Sequence, residues 1–464
     1  MNRTKKQEEL GVSYHIRPPY GLLNDPNGLV QFKGSYHVFY QWNPHGTIHE
    51  TKSWGHVVSN DLVRWRTLPP ALEPSEWYDK DGCYSGSAVI HGEELLLFYT
   101  GTVKQKEGDK KSYQCMASSI DGIHFTKKGP LFEHPPGYTR HVRDPKVWQD
   151  EEGIWWMVVG AQTEGMIGAV LVYSSKDLET WEARGPLMKE PLALGYMWEC
   201  PDILLFPDKD ILLFSPQGLE PEGDFYHNIF QSGYLSGHLD KDGLFEVGGS
   251  PFRELDRGFE FYAPQTFIDD KKRRLMFAWM GAMDPLVEQA VPTVQHSGWV
   301  HHLSLPRELI LEGDRLIQKP VEELKQLRGN LSPAGATLEK MNLAELPSTE
   351  SEIIVKWPEG CTEDFKLSLR EEVVLFYETS RKRLTIERTA WYTGKRETRS
   401  VMLKETLSSL QFFLEATTME VFVNEGKETF SLRYFTQKPS MKIKMDEQLF
   451  ATPSVTIYPL NIPN

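Results

Sequence analysis

Apolar positions along the first two thirds of the chain fall in short runs that pair up, and the pairs repeat. NDPNGLVQFKGSYHVFYQ from Asn24, YSGSAVIHGEELLLFYTG from Tyr84, RDPKVWQDEEGIWWMVVG from Arg143, ECPDILLFPDKDILLFSPQG from Glu199 and YAPQTFIDDKKRRLMFAWMG from Tyr262 share one grammar. Each opens on polar or proline-containing residues, then runs through a short apolar strand, a charged or glycine-containing turn and a longer apolar strand, as a β-hairpin does. Their starts lie 60, 59, 56 and 63 residues apart. Behind three of them stands a second signal: in Asp61 to Trp65, Asp121 to Phe125 and Asp177 to Trp181 an Asp precedes an aromatic at the same distance, after VVSND, ASSID and YSSKD. This predicts a third strand, a turn and a fourth strand. Four strands repeated five times predict a five-bladed β-propeller around a central channel. A β-sandwich also accommodates short strands and frequent turns, but it gives no reason for one hairpin to recur with an Asp and an aromatic behind it.

After about Lys325 the pattern stops. The stretch RGNLSPAGATLEKMNLAELPSTES is rich in Pro, Ser, Ala and Gly and reads as a linker over residues 326–345. Beyond it EIIVKW, FKLSLR, VVLFYETSRKRLTIER and LQFFLEATTMEVFVNEGKETFSLRYF alternate apolar and polar residues at period two, with turns at Ser380 and at Asn424 to Gly426. The expectation is an all-β protein: a propeller over 1–325, the linker, and a β-sandwich over 346–464.

The length of 464 residues agrees with two or three domains, and 40% hydrophobic with 12% aromatic residues excludes a disordered chain. A net charge of -14 argues against nucleic acid or an anionic membrane as partner, since both attract basic surfaces. The opening MNRTKKQEEL is charged with no apolar stretch behind it, so no secretory signal is expected. No run approaches the roughly 18 apolar residues of a membrane span. Cys83, Cys115, Cys200 and Cys361 are scattered without a C-x-x-C pair, which points away from zinc and disulfides and toward a reduced, cytoplasmic setting.

The repeat gives three acids a shared place. Asp25, Asp144 and Glu199 each stand where the first strand of their hairpin begins, so blade symmetry sets them around one axis. Taken singly, Asp beside Pro at the start of a strand more often shapes a turn. Clustered like charges, however, cost free energy unless solvated, protonated or bound to something. A divalent cation on hard oxygen ligands is one use; glycoside hydrolysis by paired carboxylates is another. No loop has calcium-loop spacing, and Trp42, Trp54, Trp198 and Trp279 favour a sugar, although each Trp alone reads as core.

Together NDPNG, YQWNP, WGH, YSGSA, RDPKV, ECPD, FYAPQ and EVFVNEG resemble glycoside hydrolase family 32, the invertases and fructan hydrolases, and most closely its bacterial sucrose-6-phosphate hydrolase branch. The resemblance runs from about Tyr14 to about Tyr434. It implies a five-bladed propeller with a β-sandwich behind it, release of fructose from β-fructofuranosides with retention, and no cofactor or metal. It makes Asp25 the nucleophile, Glu199 the acid and then base, and Asp144 the stabiliser of an oxocarbenium-like transition state. Asn24, Gln41, Tyr84, Ser85, Arg143 and Trp279 would line the fructose pocket. The apolar neighbours of Glu199 in YMWECP and the other two acids should raise its pKa, while Arg143 should lower that of its neighbour Asp144.

Three departures stand out: Tyr84 replaces a Phe, Glu260 replaces an Asp, and His49 in HGTIHETKSWGH stands where many relatives carry Trp. That loop should overhang the leaving-group side, so His49 and Lys52 are expected to meet a substrate phosphate. An exo-fructanase or a fructosyltransferase is the alternative within this chemistry, and a non-catalytic carbohydrate-binding propeller the alternative outside it.

Overall fold

The computed structural model describes residues 10–105, 110–435, 440–445 and 453–462, and the charged MNRTKKQEE at the N-terminus lies outside them. Every hairpin expected from the repeat forms. Gly21–Phe32 pairs with Ser35–Asn43, Cys83–His91 with Glu94–Lys104, Tyr138–Gln149 with Trp155–Thr163, Met197–Leu205 with Asp210–Gln217, and Tyr262–Ile268 with Arg274–Met280. Among the described residues, the strands up to Pro320 make five sheets of four or five strands. Their leading strands touch in cyclic succession, the fifth returning to the first.

The Ser and Asp of the second signal build the turn between third and fourth strands. Asp61 Oδ1 accepts from the amides of Val63 and Arg64, and Asp121 and Asp177 do the same for the residues two and three ahead of them. Such a side chain mimics a backbone turn. The aromatic that follows then wedges against the preceding sheet: Phe125 against Phe39, Trp181 against Phe98, and Trp65 against Phe277 of the fifth sheet.

Proline cannot donate to a strand ladder and is tolerated inside a sheet only at an edge or a bulge. Each leading strand is irregular where its motif lies, at Leu23/Pro26, Tyr84/Gly86, Arg143/Lys146, Glu199/Asp202 and Tyr262/Gln265. In the last three, the residue before proline has a positive φ: 69° at Asp144, 47° at Cys200 and 49° at Ala263. The bulges free backbone amides from their own ladders, and neighbouring sheets satisfy them. Asp144 N donates to Thr100 Oγ1 and Cys200 N to Asp144 Oδ2, each at 3.0 Å, while Thr266 N donates to Asp202 Oδ2, also at 3.0 Å. Ser85 reaches back to Asp25 at 2.6 Å, and Tyr36 of the first sheet donates to Asp269 of the fifth at 3.3 Å.

Beyond Pro320, a six-stranded sheet and a five-stranded sheet enclose one apolar core to which Leu367, Leu375, Leu384 and Ile386 contribute from the former and Ile353, Leu410, Phe412 and Val421 from the latter. This is the two-sheet sandwich that period-two alternation predicts. Turns fall at Thr379–Arg381 and at Asn424 and Glu425, both of positive φ. Within the stretch read as a linker, helix Ala334–Met341 buries Leu338 in the sandwich core and Leu343–Glu345 pairs with Lys442–Met445.

The two parts meet through buried charge. Arg307 donates to Glu420 Oε2 and Asp256 Oδ2 at 3.0 and 3.1 Å, and His15 lies between Glu415 and Glu420. Glu260, the acid that replaces an Asp, belongs here: it accepts from Arg388 Nη1 and from the amide of Arg433, both at 2.8 Å. Burial by itself would lower the His15 pKa, but Glu415 and Glu420 raise it to about 9. Its folded value therefore exceeds the ordinary value of 6.5. The linked stability is fully present below about pH 6.5 and is lost as pH climbs through about 9. Thermal unfolding should accordingly show a midpoint that falls across this window, with a flatter dependence in His15→Gln; parallel curves for the two proteins would refute the coupling.

Candidate active site

The bulged ends of the leading strands face a cavity of about 470 Å³. Asn24, Asp25, Gln41, His49, Lys52, Tyr84, Arg143, Asp144, Glu199 and Trp279 all line it. Ser85 lies just beneath, fully buried. The structure thus brings together the three acids and the residues expected to line the fructose pocket, on strands of all five sheets, with His49 and Lys52 on the loop after Asn43.

Asp25 is surrounded by neutral donors: Ser85 Oγ at 2.6 Å and Gln41 Nε2 at 3.2 Å on one oxygen, Asn24 Nδ2 at 3.2 Å on the other. Burial and the nearby Glu199 raise its pKa, and the hydrogen bonds from Ser85 and Asn24 work against that rise. Asn24 Oδ1, Gln41 Oε1 and Trp279 Nε1 are buried without a partner among the described residues. Two acceptors and a donor around one carboxylate suit the hydroxyl groups of a sugar.

Glu199 is held differently. Arg143 Nε donates to Oε1 at 2.9 Å, Gln217 Nε2 to Oε2 at 2.6 Å, and the Tyr262 hydroxyl also reaches Oε2. The expected pKa directions are reversed here. Burial would raise Glu199, yet Arg143, Tyr262 and Gln217 bring it below the ordinary value. Asp144, buried and close to Glu199 and Asp25, is raised despite Arg143. The reason is register. Arg143, Glu199 and Tyr262 are the last paired residues before their bulges, so they occupy equivalent positions in adjacent sheets and their side chains meet. Glu199 stands one residue before the site equivalent to Asp144, which Cys200 fills. The guanidinium accordingly closes on Glu199, and Arg143 Nε is 4.0 Å from Asp144 Oδ2.

The tryptophans divide unevenly. Trp54 and Trp198 are fully buried and donate to the carbonyls of Tyr84 and Leu194, and Trp42 donates to that of Tyr20. These three are core residues that steady the leading strands, and only Trp279 reaches the cavity. Its ring is edge-on to Tyr262, His49 and His301.

Lys52 is 2% exposed; burial lowers its pKa to about 8, against the pull of Asp25 and Glu288. His49 lies 3.2 Å from Glu288 and 3.4 Å from Lys52. Glu288 sits on the short helix Pro285–Gln289, in an insertion between strands of the fifth sheet that sequence reading passed over. The Tyr262 and Gln217 contacts to Glu199 were also missed. The recurrence of a polar residue near the end of the first four hairpins, as Gln41, Thr100, Gln162 and Gln217, was the available signal for Gln217.

Carboxylates in unequal surroundings, facing one sugar-sized cavity, are the equipment of a glycoside hydrolase. The signature of the glycosyl hydrolases family 32 N-terminal domain matches residues 15–320, and that of the family's C-terminal domain matches 319–461. A sucrose-6-phosphate hydrolase of Bacillus subtilis is 43% identical over 435 residues, covering 91% of this chain and 88% of that protein. The structure of a sucrose-6-phosphate hydrolase from Lactobacillus gasseri superposes with a TM-score of 0.89 at 30% identity, over 98% of this chain and 94% of the other. A Bombyx mori β-fructofuranosidase superposes at 0.85 with 33% identity, over 99% and 97%. The chain belongs to glycosyl hydrolase family 32.

Proposed function

We propose that this protein is a retaining β-fructofuranosidase that releases fructose from sucrose 6-phosphate and sucrose. The observation that carries the reading is the unequal treatment of two carboxylates on one cavity: Asp25 among neutral donors, Glu199 against Arg143, Tyr262 and Gln217. Asp25 attacks C2 of the fructosyl unit while the bond from C2 to the leaving oxygen breaks and Glu199 gives that oxygen its proton. Glu199 then takes a proton from water, whose oxygen attacks C2 and frees Asp25. Asp144 holds fructosyl hydroxyls as positive charge develops at C2. Asn24, Gln41, Tyr84, Ser85, Arg143 and Trp279 shape the fructose pocket.

Glu199 must carry a proton to act as acid, and Arg143 favours its ionised form. A leaving group seated against Arg143 loosens that pair and lets Glu199 take up the proton. Counter-charge for the three acids comes from this guanidinium and from Lys52 beside Asp25, which supports a sugar over a cation as occupant. The cyclic succession of leading strands supports a five-bladed propeller up to about residue 325, followed by the sandwich, into whose core and sheet residues 334–345 of the expected linker are built. A charged phosphosugar does not cross a bilayer unaided, and together with four buried free thiols this supports a cytoplasmic location.

The purified protein should release fructose from sucrose 6-phosphate and sucrose, with β-fructofuranose as the first product seen by NMR, and act little on inulin or levan. No fructose from any of the four would end the reading.

A further inference from the structure

The reaction steps above give no part to Lys52, a buried residue of the cavity. A lysine is seldom buried unless something pairs with its charge, so what faces this ammonium decides what it does. Its backbone is fixed on both sides. Cys83 N donates to the Lys52 carbonyl at 2.8 Å, and the next residue, Ser53, opens the strand Ser53–Ser59 opposite Trp42. The side chain therefore springs from the seam between the first two sheets, which carry Asp25 and Tyr84, and not from the exposed part of its loop.

Among the described residues the ammonium has one hydrogen-bond partner, His49 Nδ1 at 3.4 Å. An imidazole that accepts on Nδ1 carries its proton on Nε2. That nitrogen lies 3.2 Å from Glu288 Oε1, which His301 Nε2 also meets, at 2.6 Å. Glu288 thus orients His49, and His49 orients Lys52. A neutral acceptor does not compensate an ammonium, and its remaining N–H groups are left for the cavity. The carboxylates that favour its charge are Asp25 and Glu288, while Glu50 of the same loop is exposed. Asp25 needs such a partner. Its hydrogen bonds come from neutral donors, Asp144 and Glu199 stand near it, and Arg143 is bound to Glu199. Burial and Glu199 push the Asp25 pKa up, and Lys52 joins Ser85 and Asn24 in pulling it back.

We propose that Lys52 is a positioning residue for the nucleophile: held by His49 and Glu288, its ammonium is the counter-charge that keeps Asp25 ionised for attack on C2, and it does not serve as a contact for a substrate phosphate. The proposal rests on the β-fructofuranosidase reading and deepens it. Neutral donors orient Asp25 without supplying net charge, whereas a nearby cation favours the ionised form that attack requires. Because this effect belongs to the free enzyme, it is the same for sucrose and for sucrose 6-phosphate. It also disappears on the alkaline side, where Asp25 is ionised with or without Lys52 and the charge of Lys52 itself is lost through about pH 8.

The test measures kcat/KM against pH, which reports groups of the free enzyme, on sucrose and on sucrose 6-phosphate. It compares the full-length protein with Lys52→Met and Lys52→Arg, and Lys52→Gln takes the place of Lys52→Met if that protein does not fold. An opposite charge close to a carboxylate changes its acidity by about tenfold or more. On the acid side the neutral variant should therefore fall about tenfold or more below the wild type, equally on both substrates, and should rejoin it on the alkaline side. Lys52→Arg should keep more of the acid-side activity. A neutral variant that matches the wild type throughout, or loses equally at every pH, would overturn the proposal. So would a loss confined to sucrose 6-phosphate, or a Lys52→Arg profile identical to that of Lys52→Met. The pairing is also read without turnover, by NMR titration of the Asp25 carboxyl carbon, assigned from its absence in Asp25→Asn. Its midpoint should rise in the neutral variant. Should the wild type release no fructose, the β-fructofuranosidase reading fails on its own and this midpoint decides: a rise supports the pairing, and an unchanged value rejects it.

Discussion

Asp25→Asn and Glu199→Gln proteins should fold, bind sucrose and turn it over slower by orders of magnitude. Removing a general acid typically costs about 10² to 10⁴ in rate, and removing the nucleophile closes the covalent route altogether. The two losses should differ in kind. Asp25→Asn should fail on every substrate, because the amide cannot attack C2. Glu199→Gln should recover with a leaving group that needs no proton, such as an activated aryl fructoside, since Gln still accepts one hydrogen bond where Arg143 and Tyr262 now meet the carboxylate. Circular dichroism would establish that both fold. Near-normal turnover by either protein, or the absence of any leaving-group dependence in Glu199→Gln, would contradict the assignment.

Arg307→Ala should be the most destabilising single change outside the two core regions. The guanidinium is fully buried at the junction, bonded to Glu420, Asp256, Gln318 and Ser431, and stacked between Phe261 and Phe422. Truncating it leaves Asp256 without its cation and Glu420 with His15 alone, a loss of about 3 to 5 kcal/mol where buried pairs have been broken. The exposed pair Lys442–Glu371, with side chains 57% and 64% accessible, provides the contrast. Its removal should change stability by less than about 1 kcal/mol. Denaturant midpoints for the two variants measure both, and equal midpoints would mean that the junction does not depend on this charge.

The hairpins could be read in the sequence because period-two alternation and turn residues act locally. The Ser and Asp before Trp65, Phe125 and Trp181 could be read for the same reason, as each Asp bonds amides two and three residues ahead. Glu199 shows where such reading stops. Its spacing from proline was visible, but the bulge that sets it beside Arg143 instead of level with Asp144 is a matter of ladder register between strands. The pKa directions followed the wrong neighbour as a result. Trp54 and Trp198 look like sugar platforms when they are found near site motifs, and only burial identifies them as core. Glu288 sits in an insertion without the hairpin grammar.

Sheet-to-sheet hydrogen bonds close the ring: in one set each sheet donates to the one before it and the first to the fifth, while others, such as Trp54 to Tyr84, Gln114 to Val142 and Arg143 to Glu199, run the opposite way. In a linear repeat array, stability is close to a sum of neighbour interactions and the ends fray. A closed cycle has no end from which fraying can start. Opening any one sheet breaks a junction on each side, so the five sheets should lose structure together, and hydrogen exchange at the bulge amides should report the global opening instead of a local one. Asp144 is one of the fasteners of this cycle, through its carboxylate on the amide of Cys200. The residue we propose as the stabiliser of charge at C2 is thereby also a residue that keeps two sheets closed, and sequence change at that position is constrained by folding even when no substrate is present.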